Sequence, residues 1–148
     1  MENKTNSKLW PSLLVDINDG FQKSQVLFVT TELQLYDLLA THQNGMTANE
    51  IASRKELNLE ATERILDCAA GLKLIEKKIQ SESKIAIYKN YPEIATFLQS
   101  STPNSMVETI ICNSHVTYAL YQNLMTTIQT GHNTEGCKHA FNSDVRNI

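Results

Sequence analysis

The side chains of this 148-residue sequence that could do chemistry are few and scattered. They are four histidines (His42, His115, His132, His139), three cysteines (Cys68, Cys112, Cys137) and two carboxylates four apart, Glu63 and Asp67. His132, Cys137 and His139 fall close together, as zinc ligands do. A zinc site needs a fourth ligand and usually tight pairs, such as two cysteines three apart, and the sequence has neither here. The stretch reads as a polar tail, so no metal ligands are expected. His115 falls in a helical pattern and reads as an ordinary helix side chain. Glu63 and Asp67 share one helical face, the placement an acid–base pair would need. With Arg64 and Lys73 nearby, a solvated charged face is the expectation. The expected set of catalytic residues is empty.

The bulk properties narrow the class. Hydrophobic residues make up 41% of the chain and charged residues 20%, as in an ordinary soluble domain. A net charge of −3 gives no sequence-wide attraction for nucleic acid or anionic lipid. The first eight residues lack the apolar core of a secretory signal. No apolar run approaches the roughly 20 residues of a spanning helix. An odd number of irregularly spaced cysteines suggests reduced thiols in a cytoplasmic protein, with Cys68 and Cys112 as small core residues.

The elements that would position these groups read as mainly α. Residues 1–11 are polar and expected to be disordered. A long helix is expected from Ser12 to Leu33, with Leu14, Ile17, Phe21 and Phe28 on one face and Val26, Leu27 and Val29 pointing elsewhere. A helix apolar on two sides is buried on two sides, and in so short a chain the second surface is expected to be another chain. Gly20 costs about 1 kcal/mol in a helix interior, which suggests a close backbone approach there. A short helix follows over Leu35–Ala40, then a turn at His42-Gln43-Asn44-Gly45.

Thr47 and Glu50 form a capping-box pattern at the start of a short helix through Ile51 and Ala52. A second helix is expected over Leu59–Gly71, with Ile65, Leu66, Ala69 and Leu72 on one side. Two short strands, Leu74–Ile79 and Ile85–Lys89, complete a winged-helix pattern over about residues 46–90. A short helix through Ile94, Phe97 and Leu98 precedes a break at Pro103. One long helix is expected from Ser105 to Thr130, roughly 35–40 Å. Its stripe runs Val107, Ile110, Ile111, Tyr118, Tyr121, Leu124, Met125, Ile128. That is longer than the core can cover, so part should pack on a partner. Residues 131–148 lose all periodicity.

A winged helix can also read DNA in the major groove, and a DNA-binding regulator is the alternative function. The helix that would enter the groove carries Glu60, Glu63 and Asp67 against Arg64. One positive and three negative charges sum to −2, which repels phosphates. No nucleic-acid partner is expected.

Gly20-Phe21-Gln22-Lys23-Ser24-Gln25-Val26-Leu27-Phe28, Glu32-Leu33 and Tyr36-Asp37-Leu38-Leu39 together resemble the N-terminal domain of the acetylserotonin O-methyltransferase-like family. Glu63-Arg64-Ile65-Leu66-Asp67, Leu72-Lys73-Leu74-Ile75, Tyr88-Lys89-Asn90, Thr117-Tyr118 and Gly131-His132-Asn133 extend the resemblance over about residues 13–133. Tyr121 stands where the family usually has tryptophan. The resemblance implies an S-adenosylmethionine-dependent O-methyltransferase whose N-terminal domain intertwines two subunits and lends residues to the partner's substrate pocket.

The family continues past Gly131-His132-Asn133 into a catalytic domain that the remaining residues do not match. The five glycines, Gly20, Gly45, Gly71, Gly131 and Gly136, include no two within three residues of each other. The glycine turn that would let backbone approach a methyl donor is missing, so no cofactor-binding residues are expected and the chain alone should be inactive. The expected partner is itself or a full-length homologous methyltransferase subunit, with no membrane. The expected interface is Leu14, Ile17, Phe21, Val26, Leu27, Phe28, Ile110, Ile111, Tyr118 and Tyr121. By the resemblance, Phe21, Ser24 and Gln25 would reach the partner's substrate pocket.

Overall fold

The computed structural model describes residues 10–132. Helix α1 spans Ser12–Glu32, α2 Leu35–Ala40, α3 Ala48–Lys55 and α4 Leu59–Gly71. Strands β1 (Ile75–Ile79) and β2 (Ala86–Asn90) follow, then α5 (Pro92–Leu98) and α6 (Val107–Cys112). A π-helical turn over Asn113–Thr117 leads into α7 (Tyr118–Gln122) and α8 (Leu124–Thr130). The architecture is mainly helical with a two-stranded antiparallel wing, as the sequence pattern implies. Both strands begin one residue later than expected.

Local chemistry fixes the winged-helix core. Thr47 Oγ1 accepts from the Glu50 amide at 3.2 Å, and the Glu50 carboxylate accepts from the Thr47 amide at 2.7 Å. This reciprocal capping box opens α3. Asn58 caps α4 through the Ala61 amide at 2.9 Å. The wing pairs Ile75 with Asn90 through Ile79 with Ala86. Met46 adds a bridge to Tyr88, with both backbone hydrogen bonds made at 2.9 and 2.8 Å. Gly45 permits this approach. It sits at φ +82°, and a Cβ there would lie 2.6 Å from the Tyr88 carbonyl oxygen.

The core gathers Leu35, Tyr36, Leu39, Met46, Ile51, Leu66, Ala69, Ile75, Tyr88, Leu98 and Ile110. Only the second half of α1 belongs to it, through half-buried Val26, Leu27 and Phe28 and buried Thr30 and Thr31. Tyr36 Oη and Thr30 Oγ1 share a buried hydrogen bond at 2.8 Å. Burial pushes the Tyr36 phenol up to about 12, against a smaller lowering by the Thr30 hydrogen bond.

Two expectations change and a third gains a long-range partner. Cys68 and Cys112 are exposed on their helices rather than in the core. Asp67 lies on a solvated face, as expected, and its exposed carboxylate also accepts from Lys77 Nζ at 2.6 Å and from Tyr88 Oη at 2.7 Å, fastening α4 to the wing. The final helix is segmented, with the π turn at Asn113–Thr117 and a break at Asn123, where φ is −97° and ψ 11°.

Candidate assembly surface

Apolar side chains outside the core concentrate in two places. At the chain's start, Trp10, Leu13, Leu14, Val15, Ile17 and Phe21 are all exposed, Ile17 to 68%. At its end, Tyr121, Leu124, Met125 and Ile128 are exposed, Ile128 to 74%. Each group follows helical spacing. Among the described residues, neither is covered by another element. Isolated surface apolar residues are ordinary, but clusters of this kind mark interaction surfaces.

The two groups approach each other where α1 passes the π turn. The Phe28 and Tyr118 rings meet edge-on, with centroids 6.4 Å apart and planes at 77°. Phe21, Ser24, Phe28, Asn113, Thr117, Tyr118 and Tyr121 line a shallow hollow between the segments. Glu32, at the end of α1, accepts from Ser114 Oγ at 2.5 Å and lies 3.3 Å from His115 Nε2. Thus His115 pairs across elements instead of standing alone on its helix.

The structure sorts the expected interface residues into three groups. Leu14, Ile17, Phe21 and Tyr121 are exposed. Val26, Leu27, Phe28, Ile111 and Tyr118 are half-buried. Ile110 lies in the protomer's own core at 5% exposure and offers nothing to a partner. Of the residues expected to reach a partner's pocket, Phe21 and Ser24 line the hollow and Gln25 does not. The Ser24 hydroxyl also donates to the Gly20 carbonyl at 3.2 Å.

Trp10, Leu13, Leu124, Met125 and Ile128 were missing from the expected set. The periodicity of the last three was visible, but periodicity alone does not separate a core-facing stripe from an outward one. Cys137 and His139 lie outside the described residues. Among the described residues, no group of three or more His, Cys, Asp or Glu could hold a metal ion. No helix among them is long and apolar enough to cross a membrane. The outer side of α4 keeps its acidic balance: the Arg64 guanidinium is already paired with Glu60 at 2.5 Å, with both side chains exposed.

A winged-helix core flanked by two exposed apolar helical segments defines a module suited to association. The chain belongs to the O-methyltransferase dimerisation domain family, whose pattern its residues 15–100 match. It is 28% identical to acetylserotonin O-methyltransferase of Gallus gallus over 124 residues, covering 84% of this chain and 35% of the relative. To the Homo sapiens enzyme it is 29% identical over 121 residues, covering 82% of this chain and 34% of the relative. The solved structure of human N-acetylserotonin methyltransferase in complex with SAM superposes with a TM-score of 0.77 at 26% identity, covering 90% of this chain and 38% of that one. The chain spans about a third of the length of the curated relatives it matches.

Proposed function

We propose that this chain serves to pair subunits, associating with a second copy of itself or with a full-length homologous methyltransferase subunit. The observation that carries the reading is the concentration of exposed apolar side chains on α1 before Phe21 and on α7–α8. Leu14, Ile17, Phe21 and Tyr121 are the seam. Half-buried Val26, Leu27, Phe28, Ile111 and Tyr118 back it from the protomer's side. Exposed apolar and aromatic side chains of this kind form the buried centre of protein–protein interfaces.

Phe21 and Ser24 line a hollow open to solvent, which supports their contributing to a partner's substrate pocket. On this reading the chain binds no methyl donor by itself and has no methyltransferase activity alone, while full-length relatives use S-adenosylmethionine. Its place is the cytoplasm.

Light scattering on the purified chain at micromolar concentration should give the mass of a dimer, and Ile17→Asp should return it to a monomer. A parent chain that stays monomeric at those concentrations sinks the reading. Calorimetry with S-adenosylmethionine should give no heat of binding; micromolar affinity would overturn the assignment of the donor site to other sequence.

A further inference from the structure

The two faces of the wing are used differently. Lys77 and Tyr88, paired across the strands, both reach Asp67 on α4. Glu76 and Lys78 alternate onto the opposite face, and the register sets Lys89 directly across from Glu76. The turn after α2 closes over this second face. A Cβ at Gly45 would lie 2.6 Å from Lys89 Cγ, so the turn rests on the Lys89 stem. Between that turn, the wing and α5 lies a groove of about 570 Å³, whose polar lining includes His42, Gln43, Glu76, Lys78, Lys89 and Gln99. Its size is that of a small-molecule site.

These polar groups are held in place without being used up. His42 Nδ1 lies 2.7 Å from Thr41 Oγ1 and 3.0 Å from the Leu38 carbonyl oxygen. A carbonyl only accepts, so Nδ1 carries a proton. The ring is thereby fixed, and its Nε2 makes no hydrogen bond among the described residues. Lys78 Nζ pairs with Glu76 at 3.3 Å. Lys89 stands opposite the same carboxylate, yet its Nζ makes no ion pair or hydrogen bond among the described residues. The lining thus carries two ammonium groups against one carboxylate, and the Lys89 charge is left without a counterion.

We propose that this groove binds a small phosphate-bearing anion, either inorganic phosphate or a phosphate monoester. Lysine serves tetrahedral phosphate as a point charge. The lining holds no arginine, the side chain whose planar fork suits a carboxylate. Lys89 supplies the charge. His42 Nε2 accepts from a phosphate hydroxyl, or donates once the ring is protonated. The carboxamides of Gln43 and Gln99 can donate to the remaining oxygens. The site lies apart from the exposed apolar segments and does not depend on self-association.

The test is a nuclear magnetic resonance titration of the full chain with sodium phosphate, run against sodium chloride at equal ionic strength. Phosphate should give saturable shifts at the Gln43, Lys78 and Lys89 amides, with a dissociation constant on the order of 1 mM; chloride should not. Lys89→Met keeps the stem against Gly45 and removes the charge, and should weaken binding at least about tenfold. Glu76→Gln removes the competing carboxylate and should tighten it about threefold. Lys84→Gln, outside the groove lining, should change it less than about twofold. Glycerol 3-phosphate separates the sources: tighter binding than phosphate supports a monoester, weaker binding the free ion. Shifts that never saturate, or that chloride reproduces, would overturn the inference, as would a folded Lys89→Met chain that binds like the parent. Should Lys89→Met disturb the fold, the Glu76→Gln result decides, because damage to the groove can only weaken binding.

Discussion

Tyr88 Oη donates to Asp67 Oδ1 at 2.7 Å, joining the wing to the middle of α4 across twenty-one residues of sequence. The same carboxylate oxygen accepts from Lys77 Nζ at 2.6 Å, and that ammonium stands 5.6 Å from the Tyr88 ring centroid. Burial alone would raise the Asp67 carboxyl, but the hydrogen bonds from Lys77 and Tyr88 and the Lys77 charge hold it below the usual carboxylate range. The Tyr88 phenol is pushed up, first by burial and then by Asp67, and donates as a neutral group.

Tyr88→Phe removes a charge-assisted hydrogen bond and should lower stability by about 1.5–3 kcal/mol in urea denaturation. Because the Asp67 pKa is depressed in the fold, its contribution is present above the ordinary carboxylate value of about 3.9 and is lost as pH falls through the folded value. Stability of the parent should therefore drop on acidification below about pH 4. Tyr88→Phe should show a shallower drop over the same range. Identical acid limbs would show that the clamp does not couple to folding.

The Thr30–Tyr36 hydrogen bond makes the opposite prediction at the alkaline end. The Thr30 hydroxyl already donates to the Val26 carbonyl at 2.8 Å, so Tyr36 is the donor between the two side chains. With the phenol raised to about 12, its contribution is complete below its ordinary value near 10 and is lost as pH rises toward the folded value. Thr30→Val keeps the shape but strands the buried hydroxyl, and should cost about 1–3 kcal/mol at neutral pH. Thermal melts from pH 8 to 11 on parent and variant would read both effects.

Two glycines should respond in opposite directions. A Cβ on Gly20 meets nothing within 4 Å in the protomer, so Gly20→Ala should stabilise the chain by about 0.5–1 kcal/mol through helix propensity. Gly45→Ala must hold a φ of +82° and press its methyl to 2.6 Å from the Tyr88 oxygen; it should lose about 1–3 kcal/mol or more. Denaturant midpoints at equal slope would check the pair. A destabilised Gly20→Ala at concentrations where the chain associates would place a neighbouring backbone against that glycine.

What could be read from the sequence follows the range of the interaction. The capping box at Thr47 and Glu50 and the α4 cap at Asn58 span three residues, and each was written in side-chain type. The apolar side of α4, with Ile65, Leu66, Ala69 and Leu72, was equally local. The second role of exposed Asp67 was not legible because its partners, Lys77 and Tyr88, come from the wing. The exposure of Cys68 and Cys112 depends on which side of each helix meets the core, which a small apolar residue does not announce. The π turn left no mark either. The stripe from Ile110 to Ile128 stays regular in sequence while the backbone adds a residue beneath it.

Ile110 and Ile17 are two isoleucines that the sequence placed on the same expected seam and the structure separates. Ile110 is 5% exposed and belongs to the core cluster, so Ile110→Ala should cost about 2–5 kcal/mol of protomer stability through lost burial and a residual cavity. Ile17 is 68% exposed and contributes little to the protomer. Ile17→Ala should leave a monomer's melting behaviour within about 0.5 kcal/mol of the parent. It should act instead on association, weakening the dimer about tenfold if the side chain is fully covered there. Denaturation at the lowest workable concentration separates the first effect, and its dependence on concentration separates the second. A large loss for Ile17→Ala at high dilution would mean that α1 before Gly20 folds onto its own protomer in solution, and the seam would then have to be sought on α7–α8 alone.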